Sequence, residues 1–157
     1  MGMEIERKFL IVADTWRSLA EGTFFRQGYL NSSKERTVRV RTMGTRAALT
    51  IKGLATGAVR QEFEYEIPFS DAKELLELCE QPLIEKTRYR IPHEGLVWEV
   101  DEFHGLNEGL IVAECELESA DQADQDMNKP DWVGEEVTGD SRYFNSSLIT
   151  KPFSDWK

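Results

Sequence analysis

A two-residue alternation runs through most of this chain, and one of its two faces is charged almost without a break. Side chains at i and i+2 of a strand share a face, so period two sets both conformation and sidedness. Residues 4–10 set Glu4, Glu6 and Lys8 against Ile5 and Phe9, and 37–41 set Arg39 and Arg41 against Val38 and Val40. Residues 48–52 place Lys52 opposite Leu49 and Ile51, and 62–67 place Glu62, Glu64 and Glu66 opposite Phe63, Tyr65 and Ile67. Residues 86–91 alternate Lys86, Arg88 and Arg90 with Thr87, Tyr89 and Ile91; 113–118 alternate Glu114, Glu116 and Glu118 with Ala113, Cys115 and Leu117. With further candidates at 24–30 and 96–103, the pattern predicts about eight strands, too many for a small mixed sheet.

The separators are short. Gly44-Thr45, the stretch 53–57 and His93-Glu94-Gly95 read as hairpin turns, which makes neighbouring strands antiparallel. Ser70 is expected to open a helix, with Asp71 and Glu74 in its first turn, an apolar stripe at Leu75, Leu76, Leu78 and Cys79, and Pro82 beyond its end. Shorter helices are expected at 14–20, 120–126 and 141–150. No repeat, linker or low-complexity segment divides the 157 residues, so a single domain over 1–157 is expected.

Composition narrows the function. The chain carries 19 basic against 29 acidic residues, a net charge of −10, which argues against a nucleic-acid polymer as partner. A basic cleft can still form locally inside an acidic protein. No apolar run approaches the roughly 20 residues that span a bilayer, and Glu4 and Glu6 stand where a secretion signal needs basic and then apolar residues. A cytoplasmic protein without a membrane partner is expected. Cys79 and Cys115 read as buried free thiols, and His93 and His104 are too few for a zinc site or a histidine-based triad.

A sheet with one solvated face and cross-strand ion pairs would account for any one of these strands. Taken together, the strands resist that account. The signs are sorted by strand: Arg39 and Arg41 are purely basic, whereas Glu62 to Glu66 and Glu114 to Glu118 are purely acidic. Like charges along one face repel unless something of opposite sign is supplied. A barrel closed with this face inward would hold a polyanion on its cations and a hard divalent metal on its carboxylates.

The opening EIERKFLI, with Glu4, Glu6 and Lys8, resembles the Glu-x-Glu-x-Lys signature of the CYTH superfamily, the triphosphate tunnel metalloenzymes. Further similarities follow in order: VRVR at Arg39 and Arg41, TIKG at Lys52, EFE at Glu62 and Glu64, KTRYR at Lys86 and Arg88, WEVDEF at Asp101, and AECELES at Glu114 and Glu116. The tail WVGEEVTGDSRYFNSSL resembles the ending of short bacterial members. The resemblance implies an α+β, mainly β fold: an eight-stranded antiparallel barrel with helices packed outside. Its apolar faces, Val38, Val40, Phe63 and Tyr65 among them, would lie outward under those helices.

It also implies roles. Lys8, Arg39, Arg41, Lys52, Lys86 and Arg88 would hold a triphosphate, arginine suiting phosphate through its planar fork. Glu4, Glu6 and Glu116, with Glu114, Glu62 and Asp101 in support, would bind Mg²⁺ or Mn²⁺, both of which take oxygen donors. A water would attack a terminal phosphorus, with Glu62, Glu64 or Glu114 as the base; nothing in the sequence chooses among the three. The expected reaction is hydrolysis of inorganic tripolyphosphate to pyrophosphate and phosphate. A class IV-type adenylate cyclase or a thiamine triphosphatase is an alternative, and so is a non-catalytic polyphosphate or nucleotide-binding module. The module would have lost the metal carboxylates, which are all present. A monomer or homodimer is expected.

Overall fold

The computed structural model describes residues 2–119 and 128–156. Nine strands and one α-helix follow in order: β1 (Gly2–Ile11), β2 (Gly22–Asn31), β3 (Arg36–Met43), β4 (Arg46–Gly53), β5 (Val59–Glu66), α1 (Phe69–Leu78), β6 (Glu80–His93), β7 (Leu96–Phe103), β8 (Ile111–Glu116) and β9 (Val133–Glu136). The strands are antiparallel in the order β5-β4-β3-β2-β6-β7-β8-β1, and β1 returns to β5, which closes an eight-stranded barrel. The turns behave as their residues predict. Glu94-Gly95 links β6 to β7 with both φ angles positive, at 50° and 83°, the geometry whose twist matches that of the flanking strands.

β1 is shared along its length. Gly2–Ile5 pairs with β5. Farther along, Glu6 N donates to Ala58 O at 3.0 Å, and Val137 N donates to Lys8 O at 2.8 Å. Residues 137–138 and β9 thus take over the edge that β5 vacates. β9 is a short strand that the alternation analysis did not predict; Val133-Gly134-Glu135-Glu136 offers too few residues for a period to show.

The register sends one side-chain set inward on every strand. Glu4 lies opposite Arg60, Lys52 opposite Glu62, Lys8 opposite Glu114, Gln27 opposite Arg41 and Arg88 opposite Asp101. The apolar sets face outward into two clusters. Phe9, Trp16, Trp98, Val100, Cys115 and Trp132 pack over β1, β6, β7 and β8. Val40 and Ala47 pack beneath Ala72 and Leu76 of α1. Burying one large apolar side chain contributes roughly 1.5–3 kcal/mol, so the fold is held from outside the barrel. A third cluster fills one end. Ile84, Phe103 and Val112 continue the inward sets of β6, β7 and β8, and pack on Tyr143, Leu148 and Ile149.

Several expectations need correction. α1 is the one α-helix among the described residues. It starts at Phe69 after Pro68, with no capping by Ser70, and it buries Ala72 and Leu76 while Leu78 is 74% exposed. Pro82 lies inside β6. The segments 14–20 and 141–150 form 3-10 turns at Thr15–Ser18, Ser141–Tyr143 and Asn145–Ile149, too short for α-helical periodicity. The helix expected at 120–126 lies outside the described residues. Phe63 and Tyr65 face outward as expected, but no helix among the described residues covers them: they are 39% and 56% exposed.

Candidate active site

The inward faces enclose a cavity of about 590 Å³. Its lining includes Glu4, Glu6, Lys8, Arg39, Arg41, Lys52, Glu62, Glu64, Lys86, Arg88, Glu114 and Glu116. Strand pleat alone brings these charges together, because each is an alternate residue on a strand of the closed barrel.

Carboxylates gather where β1, β5 and β8 meet. Oxygens of Glu4, Glu62 and Glu116 all lie within 4.8 Å of one another. Lys52 Nζ donates to both oxygens of Glu4, at 2.9 and 2.8 Å, and lies 3.7 Å from Glu62. Burial and the charge of Glu4 raise the carboxyls of Glu62 and Glu116 above their ordinary range. Three hard oxygen donors with no sulfur or imidazole suit Mg²⁺ or Mn²⁺. The cluster draws in Glu62, expected as a base or in support of the metal, in place of Glu6.

Farther along β1, Glu6 faces Glu114. Burial and the charge of Glu114 push the Glu6 carboxyl well above its ordinary range, and the two side chains are within hydrogen-bonding reach. Burial opposes ionisation of Glu114, but Lys8, the hydrogen bond from Glu6, and Arg88 overcome it and hold Glu114 well below the usual range. Lys8 Nζ stands 3.8 Å from Glu114 and donates to Tyr143 O at 3.1 Å.

The remaining cations occupy the opposite wall. Arg88 donates to Asp101 twice, Nε to Oδ1 at 2.7 Å and Nη2 to Oδ2 at 2.9 Å, and lies 3.2 Å from Glu99. Lys86 Nζ donates to Asp101 Oδ2 at 2.7 Å and to Asn145 Oδ1 at 2.9 Å. Asp101 was expected among the metal ligands. It is absent from the cavity lining, and its two oxygens are taken by Lys86 and Arg88, so its geometry is that of a buried counter-ion. Arg39 Nη2 donates to Thr50 Oγ1 at 3.2 Å and lies 3.9 Å from Glu64. Its buried Nε has no hydrogen-bond partner among the described residues. Arg41 Nε donates to Gln27 Oε1 at 2.9 Å.

Sequence reasoning missed Phe25, Gln27, Thr50, Phe144 and Asn145, all close to these cations. Gln27 is fully buried behind the cavity lining and donates to Asn145 at 3.1 Å. The signal was present in β2, where Thr23, Phe25, Gln27 and Tyr29 keep inward parity, but they are uncharged and a charge-based reading passes over them.

Comparison with known proteins bears on this geometry. The CYTH domain model matches residues 2–152. A curated inorganic triphosphatase of Acetivibrio thermocellus is 51% identical over 158 aligned positions, covering 100% of this chain and 99% of the relative. A curated inorganic triphosphatase of Nitrosomonas europaea is 38% identical, covering 92% and 95%. A crystal structure of an inorganic triphosphatase superposes with a TM-score of 0.66 at 35% identity, covering 92% and 96%. The chain belongs to the CYTH family.

Proposed function

We propose that this protein is a metal-dependent hydrolase that cleaves inorganic tripolyphosphate to pyrophosphate and phosphate. The observation that carries the reading is the joining, in one cavity, of a three-carboxylate cluster with Lys8, Arg39, Arg41, Lys52, Lys86 and Arg88. The names of the curated relatives support the substrate.

Lys8, Arg39, Arg41, Lys52, Lys86 and Arg88 bind the phosphates. Arginine forks fix the oxygens in pairs, and the lysines add point charge. The buried Nε of Arg39 and the open end of Arg41 supply donors that the protein does not satisfy. Glu4, Glu62 and Glu116 would hold Mg²⁺ or Mn²⁺, which would offset negative charge on the phosphate oxygens and acidify water. Glu6 and Glu114 line the cavity beside that cluster. Among the three carboxylates considered as bases, Glu114 is held ionised by Lys8 and is a weak acceptor; Glu64 is exposed. Glu62 stands in the metal cluster, where it would help hold the ion that acidifies the attacking water. Holding the phosphates in line with that water supplies most of the remaining acceleration.

A phosphate-release screen over tripolyphosphate, pyrophosphate, ATP and thiamine triphosphate tests the reading. Tripolyphosphate is expected to be the best substrate and pyrophosphate, with fewer phosphates for the cations to hold, a poor one. Faster turnover of ATP or thiamine triphosphate would contradict the assignment.

A further inference from the structure

A phosphate cavity has no evident use for a phenyl ring, yet β2 puts one in its wall. Phe25 is a buried lining residue. Its ring centroid lies 4.9 Å from the guanidinium carbon of Arg41 and 4.9 Å from that of Arg88. Both distances fall within the range where a cation is attracted to the face of a ring.

The two arginines differ in what else secures them. Arg88 is fixed by its double hydrogen bond to Asp101. Arg41 has no carboxylate partner: Gln27 takes its Nε, and among the described residues Nη1 and Nη2 have no hydrogen-bond partner. Burial, with Arg39 and Arg88 close by, lowers its guanidinium to about 9, so the protein keeps an under-compensated cation here. A carboxylate in the place of Phe25 would neutralise Arg41 and occupy its fork. A ring face attracts the cation and accepts no in-plane hydrogen bond, which leaves the fork open.

We propose that Phe25 is a positioning residue for substrate: its ring orients the guanidinium of Arg41 beside that of Arg88 while leaving the donors of Arg41 free for a phosphate. The proposal rests on the tripolyphosphate reading above. Gln27 completes the arrangement, because it ties Arg41 through Asn145 to Lys86.

The test is calorimetric titration with metal-free tripolyphosphate at fixed salt, together with steady-state kinetics, on the full chain. Phe25→Leu keeps an apolar side chain and removes the ring. It is expected to weaken tripolyphosphate binding about five- to thirtyfold, and to raise KM by a similar factor while kcat changes much less. Phe25→Tyr keeps the ring and is expected to bind within about twofold of the unaltered protein. A packing role alone would lower the melting temperature in Phe25→Leu and leave affinity unchanged. Should Phe25→Leu fail to fold, Phe25→Met, longer and more adaptable, carries the same expectation. Unchanged affinity in the folded ringless variant would overturn the proposal, as would a Tyr variant as weak as Leu. If the unaltered protein fails to bind tripolyphosphate, the reading of the site falls as well, so the two failures are distinguishable.

Discussion

Lys86 and Asp101 are each 1% exposed and 2.7 Å apart, with Arg88 on the second carboxylate oxygen. Burial alone would raise Asp101, but Arg88 and Lys86 overcome it and hold the carboxyl at about 2. Burial, with Arg88 and Arg41 nearby, lowers Lys86 to about 7 despite its partner. Asp101 therefore compensates two cations that have few other anions. Asp101→Asn leaves both short of charge, and is expected to cost about 3–5 kcal/mol in chemical denaturation at pH 7. The pH dependence follows from the lowered carboxyl. Stability from Asp101 is fully present above the ordinary carboxylate range and is lost as pH falls through its folded value. The gap between the unaltered protein and Asp101→Asn should accordingly narrow between about pH 4 and pH 2; a constant gap would contradict the pairing. Arg41 and Glu116 separate the binding and metal roles. Arg41→Ala is expected to weaken metal-free tripolyphosphate binding about ten- to hundredfold, the loss of one charge-assisted hydrogen bond. Glu116→Gln should lower turnover far more than it lowers that binding. Equal effects of the two variants on metal-free affinity would count against the division.

Strand elements were legible wherever their inward residues were charged. β1, β3, β5, β6 and β8 declare both conformation and sidedness in one pattern, since Glu, Lys and Arg contrast sharply with Val, Ile and Phe. β2 was legible as a strand but not as part of the site, because Phe25 and Gln27 act through a ring face and an amide. Reading ionic residues as ligands also promoted Asp101, which the fold uses behind the cations. The end-filling cluster was invisible for a different reason: Ile84, Phe103 and Val112 carry on the inward parity of charged strands but are apolar, and their partners come from 3-10 turns with no period to read. Gly28 shows a constraint that is explicit only in three dimensions. A Cβ there would stand 2.6 Å from Leu83 Cδ2 and 2.7 Å from Cys79 Cβ, so β2 can lie under the α1–β6 connection only without a side chain. Gly28→Ala is expected to destabilise by about 1–3 kcal/mol, measured by thermal or denaturant unfolding. No loss of stability would mean that the contact is looser than these distances.

At the scale of the whole molecule, the barrel inverts ordinary sheet logic: the apolar sets are outside and the ionic sets are enclosed. The register even places like charges directly across from each other, Glu6 opposite Glu116 and Glu99 opposite Glu114. Like charges in that relation are destabilising, a cost that a stability-driven sheet would avoid. The outer clusters around Trp98 and Val40 offset it, which leaves the interior free to serve ligands. The net charge of −10 is consistent with this, because the cations that matter are concentrated in the cavity and not spread over the surface. Among the described residues, no helix is long and apolar enough to cross a membrane. The central claim is that enclosed carboxylates and cations act together through a divalent metal on tripolyphosphate. Its most direct test is phosphate release from tripolyphosphate in excess EDTA, followed by titration with Mg²⁺ or Mn²⁺. The predicted result is loss of turnover in chelator, recovery on adding either ion in excess, and no comparable recovery in a folded Glu116→Gln variant. Undiminished turnover in excess chelator would contradict it.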